Sequence, residues 1–509
     1  MSAQTTDASD QTRLRTILTG LMLVLTLAAL DQNIVATALP RIVSDLGGVS
    51  HLSWIVTSYV LASTITMPLY GKLSDQYGRK PLFYAAIGIF MAGSVLAALA
   101  QTMNQLILYR AIQGLGAGGL FPLAQTTIGD VVSPRERGRY QGLFGAVFTG
   151  CSVAGPVLGG VITDTLSWHW IFYVNLPVGA AALGFISVGL RRPAAAIHHR
   201  IDYGGAALIA LGTTGLLLVL SLGGASYDWA SPQIIGCAIA AMVSIPLFIW
   251  QERRSAEPVM PLHLFGNKTV LLSWTVLALA FTGMSAATVF FPLFFQLVLG
   301  VAPANSGLLT GPLMLGIVTS SVIGGRLVTR TGRYKRLPVA GLAAATLAFL
   351  GLGWGAMAGY GVALMEPLLI VLGLGLGLVM PTMTVALQNA ADPRDMGVAT
   401  ATSAFFRSLG SVMGVALSGG ILAAHLKSLL AASALTGQLD APTLLSSGVQ
   451  QIAHMPAALG LAVTGFYRTA IGATFLVGGA IIGLAFLVVL FLPELPLKTA
   501  LAKPAPRGD

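Results

Sequence analysis

Four charged residues interrupt the apolar stretches of this chain: Asp31, Arg110, Glu366 and Arg407. A carboxylate in bilayer hydrocarbon costs about 2.5–3.5 kcal/mol on insertion scales. It persists where it meets water, pairs with a cation or takes a proton. A guanidinium keeps its proton in a protein and must be paired or hydrated. Asp31 in the first apolar run and Arg110 in the fourth fall at comparable depth. Facing each other, they form a proton switch. Arg110 stabilises the carboxylate and lowers its proton affinity, and protonation of Asp31 releases Arg110. The alternatives are an interfacial carboxylate near the end of its run and an arginine held by backbone carbonyls. Glu366 opens a later run as a second protonation site or as a hydrated helix-end carboxylate. Arg407 reads as a packing residue or an anion contact. No paired carboxylates, metal ligands, nucleophile triad or phosphate-cradling loop accompany these residues, so an enzyme is not expected.

The elements that must position them are membrane helices. The chain has 509 residues, 55% apolar and 9% charged. A soluble chain carries roughly 25% charged residues, so this one has too little polar surface to face water. The apolar runs are long and lack the two-residue period of barrel strands. Spans near 20 residues number fourteen. They lie at about 16–38, 52–71, 81–100, 105–127, 140–163, 169–190, 203–222, 232–250, 269–295, 303–325, 337–357, 361–387, 396–424 and 469–492. The net charge of +10 does not imply a nucleic-acid partner, because the basic residues sit in short loops. Cys151 and Cys237 fall inside apolar runs as small packing residues, without a disulfide or metal framework.

With fourteen spans both termini share a side. Loops on that side hold 23 of the 28 basic residues, which places both termini in the cytoplasm of a multi-pass cell-membrane protein. The stretch Gly71–Lys80 is read as a short basic loop between two spans. Its pattern Gly71-x-Leu73-x-Asp75-x-x-Gly78-Arg79 returns as Gly325-x-Leu327-x-Thr329-x-x-Gly332-Arg333. The repeat distance exceeds six spans by about one pair of spans. The expected division is a six-helix bundle over 1–195, an inserted pair over 196–264 and a second bundle over 265–509. A long external loop falls at about 425–468. Gly71 permits close approach and Gly78 a turn. Asp75 is expected to bind a helix N-terminus or a cation such as Arg139, as a latch that breaks on switching.

The same stretch resembles the loop between spans two and three of the major facilitator superfamily. Four further stretches agree in order. Asp31-Gln32-Asn33-Ile34-Val35-Ala36-Thr37-Ala38-Leu39-Pro40 is similar to the first-span signature of the fourteen-span drug:proton antiporters, with Asn33 where that family usually has Thr. Tyr109-Arg110-Ala111-Ile112-Gln113-Gly114 looks like the family's arginine motif. Gly155-Pro156-x-x-Gly159-Gly160 looks like its antiporter motif. Phe295-Gln296 through Gly311-Pro312 matches its pattern across spans nine and ten. The resemblance implies an all-α major facilitator fold with two six-helix bundles and two inserted helices. It also implies a proton-transfer role for Arg110.

The expected function is proton-coupled export of small amphipathic or cationic compounds by alternating access. The alternatives are transport of a lipid, siderophore or metabolite, and, more remotely, a non-transporting membrane sensor. One proton crossing 100 mV supplies about 2.3 kcal/mol, enough for roughly a fifty-fold gradient of neutral cargo without any cofactor. Expected partners are protons, the cargo and the bilayer, around a monomer. Gly155, Pro156, Gly159 and Gly160 are expected to form a tight, bent seam between the halves. Substrate contacts are expected from Gln296, Phe295, Trp54, Tyr59, Gln113 and Arg407, with Phe281, Met284, Phe290, Phe291 and Phe294 beside them.

Overall fold

A computed structural model describes residues 2–47, 51–190, 201–224, 227–301, 303–433 and 455–497. Fourteen of its helices are long and apolar enough to cross a membrane. In chain order they are α1 (Gln11–Leu46), α2 (Leu52–Tyr77), α3 (Arg79–Ala98), α4 (Met103–Val131), α5 (Pro134–Thr165), α6 (Trp170–Gly189), α7 (Tyr203–Leu222), α8 (Pro232–Glu252), α9 (Lys268–Leu297), α10 (Ser306–Thr331), α11 (Arg336–Ala358), α12 (Val362–Ala390), α13 (Pro393–Ala431) and α14 (Leu459–Leu490). Helices are the outcome because hydrocarbon offers no partner to a free backbone N–H or C=O.

The helices pair in the same way in each half. α1 packs on α5 and α6, α4 on α2 and α3, and α3 on α6. Their counterparts repeat this: α9 on α13 and α14, α12 on α10 and α11, and α11 on α14. The halves meet through α5 against α10 and α2 against α13. Between them in sequence, α8 packs on α7, and α7 lies along both α2 and α13.

Several helices outrun the apolar runs that signalled them. α1 continues through Pro40 to Leu46 and stops only at Gly47, whose φ is +69°. α13 reaches Ala431, and α14 begins well before 469. The central part of the external loop, 434–454, lies outside the described residues. Gly71–Lys80 is mostly helical rather than a loop. No breaker occurs before Gly78, so Gly71–Tyr77 forms the last turns of α2 and Arg79 opens α3. Gly78 alone makes the break, at φ 87° and ψ 163°, a conformation open essentially to glycine.

Candidate functional site

Asp31 lies mid-way along α1, and Arg110 comes two turns into α4. Asp31 has 0% exposure and Arg110 2%, so the carboxylate is internal and not interfacial. Arg110 Nη1 stands 2.8 Å from Asp31 Oδ2. Gln113, one turn along α4, donates to Asp31 Oδ1 at 2.8 Å and accepts from Arg110 at 2.7 Å. Asn175 of α6 donates to the same Oδ1 at 2.9 Å. Ser94 of α3 accepts from both amides, at 2.7 and 3.1 Å. Tyr59 of α2 lies flat under the guanidinium, 4.1 Å from ring centroid to Cζ.

Five helices therefore converge on one carboxylate that accepts three hydrogen bonds in its charged form. This set compensates the burial of two charges, which unpaired would be expensive. Gln113 belongs to this cluster and does not line the cavity described next. Asn175 and Ser94 escaped the sequence reading because a lone Asn or Ser in a helix carries no pattern; only the fold brings them to Asp31.

Beyond Arg110 and Tyr59 opens a cavity of about 1810 Å³ between the halves. Its walls include Asn33, Tyr59, Phe121, Phe281, Met284, Met314, Met380 and Arg407. It reaches Gly224 and Trp229 beyond α7 and Lys427 near the end of α13. By the alternation of the helices, these mark the side opposite the termini.

On α9 the cavity wall runs along one helical stripe through Phe281, Met284, Ser285 and Thr288, flanked by Ala280 and Val289. Phe290, Phe291, Phe294 and Phe295 fall off that stripe. Phe291 stacks on Phe475 with centroids 4.3 Å apart, and Phe349 closes the group. Phe295 is fully buried in the same core. Gln296 donates to Ser306 at 2.8 Å, at the turn into α10. Neither Phe295, Gln296 nor Trp54 lines the cavity. Of the expected substrate contacts, Tyr59 and Arg407 do. Glu366, in the first turns of α12, is likewise absent from the cavity wall and from the Asp31 cluster.

The side bearing the termini is shut. Both oxygens of Asp75 accept from N–H groups where the α-helical part of α13 begins, after its opening 3-10 turn, Gly397 at 2.9 Å and Val398 at 2.8 Å. Arg79 pairs with Asp75 at 2.7 Å and with Asp130 of α4 at 2.7 Å, and also donates to Ser74. Arg139 is exposed and takes no part in the latch. Two residues apart on a helix is about 200°, so Arg139 points away from the face that Arg137 buries. Arg137 donates to the Gln388 carbonyl of α12 at 3.2 Å.

The second crossing is built differently. The Thr329 hydroxyl bonds back to Gly325 in its own helix. Arg135 instead donates to the Thr329 and Arg330 carbonyls at 3.1 and 3.4 Å, at the negative end of α10.

The Gly155 motif seats α5 on α1 within one half and is not a seam between halves. A Cβ on Gly155 would stand 2.7 Å from that of Asn33, and one on Gly159 2.6 Å from the Ile34 carbonyl oxygen. Gly160 faces open space, Pro156 is exposed, and α5 runs unbroken through it.

Residues 21–415 match the Major Facilitator Superfamily. The chain is 38% identical over 424 residues to the multidrug transporter protein MdtP of Bacillus subtilis, covering 82% of this chain and 77% of that one. It is 38% identical over 429 residues to multidrug resistance protein 3 of the same species, covering 82% and 81%. Among solved structures it is similar to the proton:xylose symporter XylE, with TM-score 0.63 and 15% identity over 96% of this chain and 98% of that one. It is also similar to a bacterial homologue of ferroportin in an outward-facing state, with TM-score 0.59 and 14% identity over 93% and 98%.

Proposed function

Since the chain belongs to the major facilitator superfamily, we propose that it is a proton-coupled exporter of small amphipathic compounds, working by alternating access. The observation that carries this reading is the buried Asp31–Arg110 pair at the cavity wall. The multidrug relatives support export of varied cargo. The basic residues gathered in the loops on the side of the termini support cytoplasmic termini in a cell membrane. In that frame the open cavity faces outward, and the working unit is one chain with no cofactor beyond the proton gradient.

The coupling runs through Asp31. Charged, it is held by Arg110, Gln113 and Asn175. A proton on Asp31 removes the counter-charge of Arg110, which already borders the cavity. The freed guanidinium then gains by turning toward water or cargo, loosening α1 from α4. Return to the charged pair on the cytoplasmic side releases the proton there. One proton per 100 mV contributes about 2.3 kcal/mol to this cycle.

The test is substrate-driven proton release in proteoliposomes, with wild type beside Asp31→Asn. Coupled proton movement is expected in wild type and lost in the variant, while cargo still binds. Coupling that survives in Asp31→Asn refutes the assignment. A panel of dyes against lipids in the same vesicles separates small-molecule export from lipid transport.

A further inference from the structure

Arg407 of α13 borders the central cavity, level with Phe121 of α4 and Phe281 of α9. Its Cζ lies 4.2 Å from the Phe121 centroid and 5.2 Å from that of Phe281. Its Nε is buried without an acceptor, and among the described residues its guanidinium meets no carboxylate, amide or carbonyl partner. Arg110 provides the contrast: its charge is answered by Asp31. A guanidinium presents five donors in a planar fork shaped for an oxyanion. Set beside two aromatic faces, that fork is directed at no protein acceptor among the described residues and borders the cavity.

The rest of the lining points the same way. Its ionisable side chains, among the described residues, are Arg110, Arg407 and Lys427 together with the phenol of Tyr59, and no Asp or Glu reaches the cavity. Asp31 sits sealed behind Arg110. A permanent cation entering this space would find positive charge and no anion. Hydroxyls stand next to Arg407: Ser408 bonds Thr64 at 2.6 Å and Ser411 bonds Ser285 at 2.6 Å.

Resting on the exporter reading above, we propose that the cargo carries an anionic head, a carboxylate or sulfonate, on an aromatic body. The head docks on Arg407, and the body lies against Phe121 and Phe281. This narrows the amphipathic cargo to acids and removes the cationic class. It also fixes the charge movement. A monoanion leaving as one proton enters moves two charges in the same sense, whereas a monocation would move none. A membrane potential of 100 mV then favours export by about fifty-fold per charge moved.

The experiment uses the full chain in detergent, with fluorescein as probe and fluorescence anisotropy as readout. Wild type is expected to bind fluorescein and to release it to 1-naphthoate at least ten-fold more readily than to uncharged 1-naphthamide. Ten-fold is about 1.4 kcal/mol. Arg407→Gln is expected to weaken fluorescein at least ten-fold and to leave ethidium unchanged or tighter, and Arg407→Lys to keep part of the affinity. The naphthoate comparison needs only wild type, so a variant that misfolds does not stall the test. No fluorescein binding, equal displacement by the amide, unchanged affinity in folded Arg407→Gln, or displacement by phosphatidylglycerol but not by naphthoate each overturns the proposal. Failure of the exporter reading is distinct: fluorescein binds with the expected charge preference, yet a pH gradient drives no transport of it in proteoliposomes.

Discussion

Gly138 of α5 and Gly325 of α10 meet backbone to backbone across the two halves. A Cβ on Gly138 would stand 2.7 Å from the Gly325 carbonyl oxygen, and one on Gly325 would overlap that of Gly138. No side chain fits this crossing while the side bearing the termini is shut. Gly138→Ala and Gly325→Ala should each favour the conformation open on that side. Spin labels at 139 and 326, both exposed, should then show a longer and broader distance distribution. An unchanged distribution would count against a close crossing here.

The two crossings differ in kind, so they should respond differently. Asp75→Asn removes a carboxylate that accepts two N–H bonds at the start of α13. Hydrogen bonds to a charged group contribute about 1.5–3 kcal/mol, which predicts a population shift of roughly ten-fold or more toward the open form. Thr329→Ala loses only a bond within its own helix and should leave the distribution as in wild type. The same pair of labels measures both.

Phe281 and Phe295 sit on one helix but on different faces. Phe281→Ala should raise KM for transported dye several-fold with little change in unfolding temperature. Phe295→Ala empties a fully buried site and should lower stability by about 3–5 kcal/mol with KM unchanged in the fraction that folds. Thermal unfolding and transport kinetics on the same preparations separate the two.

Asp202 begins α7 as its cap, accepting from the Gly205 N–H at 2.8 Å and from Gln251 at 3.0 Å. Partial burial opposes its charge, but the donors at Gly205, Ser255, Gln251 and Gly204 outweigh it and hold the carboxyl below the usual aspartate range. A depressed carboxylate contributes stability above its unfolded value, about 3.9, and that stability is lost as pH falls through the folded value. Asp202→Ala should therefore lower stability at neutral pH by about 1 kcal/mol, the usual worth of such a cap, and the difference should vanish in strong acid. Unfolding of both proteins along a pH series checks it.

The number and places of the spans were legible because a bilayer fixes the length of an apolar run. Asp31 and Arg110 were legible as a pair because a charge inside such a run has few ways to persist. Less was visible of what surrounds them. Asn175 and Ser94 have side chains that many helices tolerate, and nothing local marks them. The aromatic cluster of α9 misled for a related reason: Phe295 and Phe281 are equally apolar, and only rotation about the helix axis decides which faces the cavity. Arg139 suits Asp75 by charge alone, yet the ion pair goes to Arg79, four residues on from Asp75, while Arg139 faces outward on α5.

α7 runs along both α2 and α13 and contributes Leu217, Leu220 and Ser221 to the cavity wall. Among the described residues, no such helix is added at the flank between α5 and α10. A lipid-soluble molecule approaching sideways through the membrane therefore finds one flank screened and the other bare. Entry from the bilayer becomes one-sided, giving an otherwise two-fold symmetric vestibule a front and a back.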